Sequence, residues 1–268
     1  MSTRKLSAPG PFRASHLPPG SDYELVDGHP VRCAPTGRDG AGAILDGGSV
    51  IRSDPKVRRA GVDPGFAPDD LNVRAPDIAI IPEDGPPGWI RGVPGFAVEY
   101  AGVGQDEEKL QEKIAELLAR GTRVLWVVRL VGPRRVEIYQ PGEPFRVATS
   151  GEELHAPEFL ANPVPVDALW DAEAADRATL RNLLERFGYR DIDAVRDEGR
   201  DEGRQEGRQE GHVAAARAIL RRVLASRGIA VDAAGESRID AEPDTAVLER
   251  WVAQAAVATG AAEVFAEG

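Results

Sequence analysis

RAPDIAII at residues 74–81, FAVEY at 96–100, EKIAELLARGTRVLWVV at 112–128 and RVEIY at 135–139 decide the fold. Asp77–Ile81, an apolar run opening after Pro76, reads as a short buried strand. In Phe96–Tyr100 the alternation puts Phe96, Val98 and Tyr100 on one face and Ala97 and Glu99 on the other. From Gln105 to Arg120 the period changes. Leu110, Ile114, Leu117 and Leu118 fall at i, i+4, i+7 and i+8, the stripe of an amphipathic helix, and Gly121 stands where a C-terminal cap belongs. Val124–Val128 and Arg135–Tyr139 return to strand around a turn at Gly132-Pro133, and Phe145–Thr149 offers a fifth strand. Strand, strand, helix, strand, strand is an α/β core with a mixed sheet.

Upstream, YELVDGHPVR at 23–32 reads as two short strands flanking Asp27-Gly28, a favourable hairpin pair. Residues 1–20 are rich in Pro, Ser and Gly and read as a loose arm. Residues 34–70 are dense in Gly, Pro, Asp and Arg and read as mostly loop, with one candidate strand at Ala43–Ile51. Downstream, Pro163 and Pro165 mark the end of the core, and residues 166–188 read as helical. A tandem repeat, DEGR-DEGR-QEGR-QEGH, then runs from Asp197 to His212. Two amphipathic helices follow, Val213–Arg227 capped by Gly228, and Asp244–Thr259. The expected organisation is an arm at 1–20, an α/β domain at 21–170, a helical linker at 171–212 and a helical pair at 213–268.

Composition limits the function classes. The 268 residues are 42% hydrophobic and 29% charged, as in ordinary globular proteins. The single cysteine, Cys33, excludes an internal disulfide framework and a Cys-rich zinc site, and fits a reducing cytoplasm. The four histidines are scattered without metal-ligand spacing. No apolar run approaches the roughly 18 residues needed to span a bilayer, and the N-terminus lacks the apolar core of a signal peptide. A net charge of -11 argues against a general DNA coat protein. It leaves room for a nuclease, because a bound divalent metal offsets carboxylates locally.

Asp77 opens one expected strand and Glu99 lies within the next, so a strand pair can bring both acids to one sheet end. Two carboxylates facing one cavity repel unless a cation or proton neutralises them. Magnesium suits such a pair, being a hard ion that takes carboxylate oxygen and retains waters. It can then activate a bound water and stabilise charge on a phosphate. Lys113 sits at the margin of the helix stripe, from which its stem can run along the core to the sheet end; Lys109, one turn earlier, is the alternative. The same residues also admit a plain structural account: Asp77 as a solvated strand start, Lys113 on a solvated helix face, Glu24 as a surface residue beside a turn.

YELVDG, RAPDIAII, FAVEY and EKIAELLARGTRVLWVV, in this order, resemble the Uma-two family of endonucleases, within the PD-(D/E)XK restriction-endonuclease-like superfamily. The likeness covers roughly residues 20–170. It implies a mixed central sheet flanked by helices, followed here by a helical C-terminal tail. It also implies a cytoplasmic enzyme that cleaves DNA with Mg2+ or Mn2+, in which Asp77 and Glu99 bind metal and Glu24 assists. The superfamily's usual lysine, two residues after that glutamate, would fall at Ala101; Lys113, eight residues before Gly121, matches the helix lysine that replaces it in this family. Other positions depart. AGVGQD replaces the Ser-Pro pair after the glutamate, PTGRDGAGAILDGG replaces a His-bearing helix, and Leu117 replaces a tyrosine. A catalytically inactive domain that binds nucleic acid or protein is therefore the rival reading.

In the repeat, Gly199, Gly203, Gly207 and Gly211 lie four residues apart, so on a helix they form a stripe drifting about 40° per step. Each Gly costs about 1 kcal/mol against Ala, which a close backbone partner can offset. Alternating Glu and Arg add local charge pairs. The tail reads either as a self-association arm, pairing two chains in coiled-coil fashion into a homodimer, or as a solvated linker helix.

Overall fold

In a computed structural model, which describes residues 10–104 and 106–266, the chain divides into two compact units, up to Asp191 and from Ile192 onward. The first unit begins with the hairpin of β1 (Tyr23–Val26) and β2 (His29–Arg32). Asp27 and Gly28 both take positive φ, as the tight turn requires. Helix α1 (Arg38–Ser53) follows, then β3 (Ala60–Val62), β4 (Phe66–Asp69), β5 (Asn72–Arg74), β6 (Ile78–Ile80), β7 (Ile90–Arg91) and β8 (Phe96–Ala101). Helix α2 (Glu107–Ala119) crosses to β9 (Val124–Arg129), which leads to β10 (Arg135–Tyr139) and β11 (Arg146–Ala148). A small pair, β12 (Glu153–Leu154) and β13 (Val164–Pro165), precedes α3 (Ala172–Arg186).

The central sheet runs β11-β10-β9-β8-β6-β3; β8 and β9 are parallel and its other pairs antiparallel, so it is mixed. A second sheet runs β2-β1-β5-β4-β7. All six residues of β8 are buried, and its alternation sorts them as the sequence predicts. Phe96, Val98 and Tyr100 join Trp126, Ile51 and Leu169 in the larger core. Ala97 and Ala101 join Leu110, Ile114 and Leu117 of α2 on the other face. Asp106 caps α2 by accepting from the Lys109 N–H, and Gly121 ends it at φ 117°. The expected helix start, Gln105, lies outside the described residues.

Four expectations are corrected. Ala43–Ile51 is helix, because Ala43, Ile44, Gly47, Val50 and Ile51 recur at helical spacing and bury one face. The arm is not loose over residues 10–20: Ala14 and Leu17 are buried, and their carbonyls accept from Trp89 Nε1 at 3.0 and 3.1 Å. Residues 1–9 lie outside the described residues. Residues 171–191 belong to the first unit, since Asn182 Nδ2 donates to Val50 O and Ser53 Oγ, both at 3.2 Å. Finally, no boundary falls at residue 212: α4 runs unbroken from Ile192 to Ser226.

Gly47 shows how closely α1 sits on the sheet. A Cβ there would overlap the Tyr100 hydroxyl and approach Leu169 Cδ2 at 3.2 Å. That hydroxyl is fixed, donating to Leu169 O at 3.0 Å. Gly47→Ala gains about 1 kcal/mol of helix propensity but overpacks, at a cost of about 1–3 kcal/mol. We expect a lower thermal midpoint. An unchanged or raised midpoint would show that α1 can slide on β8.

The second unit holds α4, α5 (Ala233–Ala241), α6 (Thr245–Val257) and α7 (Ala261–Val264) around its own core of Leu220, Leu224, Ile239, Leu248 and Trp251. Among the described residues, no helix is long and apolar enough to cross a membrane.

Candidate active site

The central sheet, α2 and the first hairpin meet at one end of β6. Antiparallel pairing of Ile78 with Val98 places Asp77 level with Glu99, just beyond the end of the ladder. There Asp77 Oδ2 accepts from the Tyr100 N–H at 2.5 Å, taking the role of a ladder carbonyl. Glu99 points to the face covered by α2, and 6% of it is exposed.

Lys113 reaches this point from α2. Its Nζ lies 2.7 Å from Glu99 Oε1, 3.1 Å from Glu24 Oε1 and 2.8 Å from Ala75 O, which accepts a hydrogen bond. Ala75 O is its hydrogen-bond acceptor, and the two carboxylates are its ion-pair partners. Glu24, from β1, is equally engaged. Its Oε1 also accepts from the Ala75 N–H at 3.0 Å, and its Oε2 from Arg74 Nη1 at 3.1 Å. Arg74 is shared with Glu116, whose Oε2 accepts from Nε at 2.7 Å. Lys109 does not take part: it is exposed and pairs with Asp106 at 3.3 Å.

Sequence spacing missed one acid. Asp63 follows β3, and its N–H donates to Asp77 O at 3.1 Å. Its φ of 50° is a left-handed conformation that aspartate tolerates better than most residues. Its charge acts on Asp77, Glu24 and Lys113. The one local hint was the Asp63-Pro64-Gly65 turn; the rest comes from the β3–β6 pairing.

Charges are unevenly balanced here. Burial lifts Asp77 to about 6, against the pull of Lys113 and the Tyr100 N–H, while Asp63 and Glu24 push it further. Burial lifts Glu99 to about 8 despite Lys113, and Asp77 adds to the rise. Burial would also raise Glu24, but Lys113, the Ala75 N–H and Arg74 outweigh it and hold this carboxyl below its ordinary value. Burial would lower Lys113; Glu99, Glu24 and Asp77 together raise it instead. So one lysine serves three acids, and two of the three resist ionising.

Among the described residues, no group of three or more His, Cys, Asp or Glu side chains forms a metal cage. Two acids nevertheless keep free capacity. Glu99 Oε1 is buried and accepts no hydrogen bond, its contact with Lys113 being an ion pair. Asp77 is bonded through Oδ2 to one backbone N–H. Two hard oxygen donors with unmet charge fit an ion such as Mg2+, which commonly takes one or two carboxylates and fills its sphere with water and substrate phosphate.

Residues 11–164 match the Uma2 family model, described as "Putative restriction endonuclease". Among solved structures, this chain resembles "a putative nuclease belonging to DUF820 from Anabaena variabilis". That likeness has 18% identity and a TM-score of 0.48, and covers 57% of this chain and 90% of the other. No curated protein matches.

Proposed function

Because the chain belongs to the Uma2 family, we propose that its first unit is a divalent-metal-dependent endonuclease hydrolysing phosphodiester bonds in DNA. The observation that carries this reading is the buried Asp77–Glu99–Lys113–Glu24 cluster, where three carboxyls gather about one ammonium and Glu99 Oε1 is left without a hydrogen bond. Asp77 and Glu99 would hold Mg2+ or Mn2+. Such an ion lowers the pKa of a bound water and stabilises charge on the phosphate. Lys113 keeps Glu99 oriented and places a positive charge beside the scissile group. Glu24, named as a metal ligand by the family likeness, here assists through Lys113: both its oxygens are already engaged. Self-association belongs to the C-terminal helices in this reading. A second reading, a nuclease-like domain that binds nucleic acid without cleaving it, draws on the full engagement of the Lys113 ammonium.

Adding Mg2+ or Mn2+ to the full chain should raise its thermal midpoint, by about 5 °C at saturating ion, and support nicking of supercoiled plasmid. Asp77→Ala should abolish both. A midpoint shift of the same size in the variant would remove the metal site as drawn. Metal binding without nicking, over a panel of DNA and RNA substrates, would favour the second reading.

A further inference from the structure

Helix α4 carries a face that, among the described residues of the second unit, nothing covers at its glycines. Its core side, Val213, Ala216, Leu220 and Leu224, packs into the second unit. Gly211 points the other way, about 160–180° from that side by helical geometry. A row spaced four residues apart passes through that point, winding about 40° per step: Gly199, Gly203, Gly207, Gly211, Ala215 and Ile219. Side chains built at the four glycines would meet nothing within 4 Å. Ile219 is half exposed and lies with Ala215 on the wall of a groove of about 380 Å³, completed by Thr245 and Val252 of α6. The Thr245 hydroxyl is buried without a partner.

Charge is sorted about this row. Relative to Gly199, Gly203 and Gly207, arginine falls at i+1 and i−3, about 60–100° to one side; at Gly211, Arg208 keeps i−3 and His212 takes i+1. For the same three glycines glutamate falls at i−1 and i+3, the same angle to the other side, and Gly211 keeps only Glu210 at i−1. Hence Arg200, Arg204 and Arg208 form one flank and Glu198, Glu202, Glu206 and Glu210 the other. Along each flank, neighbours one turn apart carry like charge and repel. The helix relieves this only in part. Arg200 and Arg204 reach back to Asp197 and Asp201 at 3.3 and 3.5 Å, on exposed surface. Among the described residues, none pairs with the four glutamates.

We propose that this face is an interface with a second copy of the chain, in which two α4 helices pair parallel and in register. This rests on the reading that the C-terminal helices self-associate, and adds the face and its direction. The direction follows from geometry. A two-fold axis parallel to both helices sets the arginine flank of each against the glutamate flank of the other, along both seams. Antiparallel pairing instead sets arginine against arginine and glutamate against glutamate. Charged flanks fix partner orientation in paired helices by this same logic. A four-residue period exceeds the 3.6 of a helix, so the pair winds right-handed, and glycine lets the backbones approach closely. The repeat's cost in helix propensity then has a structural reason.

The test uses the full chain with Cys33→Ser, so that the only thiols are those introduced. Gly199→Cys and Gly211→Cys are made separately. In a parallel pair each variant forms a disulfide with its own copy under mild oxidation, and a mixture gives no preference for the 199–211 cross-link. Disulfides need Cα atoms within about 7 Å, so the readout also reports close approach. Gly203→Leu with Gly207→Leu favours helix yet blocks approach, and should bring the mass in solution down to a single chain. Arg200→Glu, Arg204→Glu and Arg208→Glu together should do the same, with pairing recovered on mixing with a chain carrying Glu198→Arg, Glu202→Arg and Glu206→Arg. A wild-type chain that stays single at high concentration overturns both this proposal and the self-association reading. A double-mass wild type that cross-links only between 199 and 211, or that ignores the leucine substitutions, overturns this interface alone.

Discussion

Lys113→Met is expected to destabilise the first unit by roughly 3–5 kcal/mol at pH 9, the range for removing one partner of a buried charge cluster. The substitution keeps most of the stem that packs along α2 and deletes only the ammonium. Glu99 Oε1, 2.7 Å away, and Glu24 Oε1, 3.1 Å away, both lose their common cation, and the Ala75 carbonyl loses its donor. Glu24 retains Arg74 and the Ala75 N–H. Glu99 retains nothing, so the penalty concentrates there. Lys113 is raised above its ordinary value in the folded chain. Its contribution is therefore fully present below the unfolded pKa and is lost only when pH climbs through the folded one. Glu99, at about 8, still holds most of its proton at neutral pH, so the full effect should be seen only above about pH 8. Urea unfolding should show a lower midpoint with an unchanged slope. As pH falls below about 8 and Glu99 takes up its proton, the difference from wild type should shrink. Lys113→Arg should recover only part of the loss, since a planar fork cannot meet three acceptors arranged around one point. A loss under about 1 kcal/mol at pH 9 would mean that the ammonium does not hold these acids together.

How much of this was legible in the sequence depended on whether the signal was local. The strands at 78–80, 96–101 and 124–129 announce themselves because each must bury both faces. Lys113 was found because helix geometry alone puts it beside the apolar stripe. Its role also explains Ala101. That residue lies two positions after Glu99 on the same face of β8, and α2 covers that face, so a lysine from the helix reaches a carboxylate that a strand lysine would otherwise serve. Helix α1 was hidden by its glycines, which look like loop. Gly47 is required by the Tyr100 hydroxyl, contributed by a strand about fifty residues later. Helix α3 was assigned to a linker because its buried stripe is small and partly polar: Ala175 and Ala178 join the larger core and Asn182 hydrogen bonds to α1, while its conspicuous Leu180 and Leu183 are exposed. Asp63 was invisible for the same reason, since only the long-range pairing of β3 with β6 brings it to Asp77.

Glu99→Gln separates the cost of the site from its use. Cleavage should fall by about 10²–10³-fold, as when one preorganised group is removed from a reacting centre, while the metal-free protein becomes no less stable. Glu99 in the folded chain sits at about 8, against 4.5 for an ordinary glutamate. Between those values the unfolded chain has released a proton that the folded chain still holds. Stability therefore falls as pH rises through that window, by roughly 1.4 kcal/mol per pH unit for one such group. Asp77, raised to about 6 from 3.8, adds the same sign over a lower window. Glutamine removes the upper window and leaves Lys113 paired with Glu24 at 3.1 Å, so no bare ammonium offsets the gain. The decline in stability between pH 6 and 8 should vanish in the variant and persist in wild type. Mg2+ or Mn2+ should reverse the slope in wild type alone, because the ion competes with the protons on these acids. A variant that retains the pH 6–8 decline, or that cleaves at the wild-type rate, would place the unmet charge of the site on some group other than Glu99.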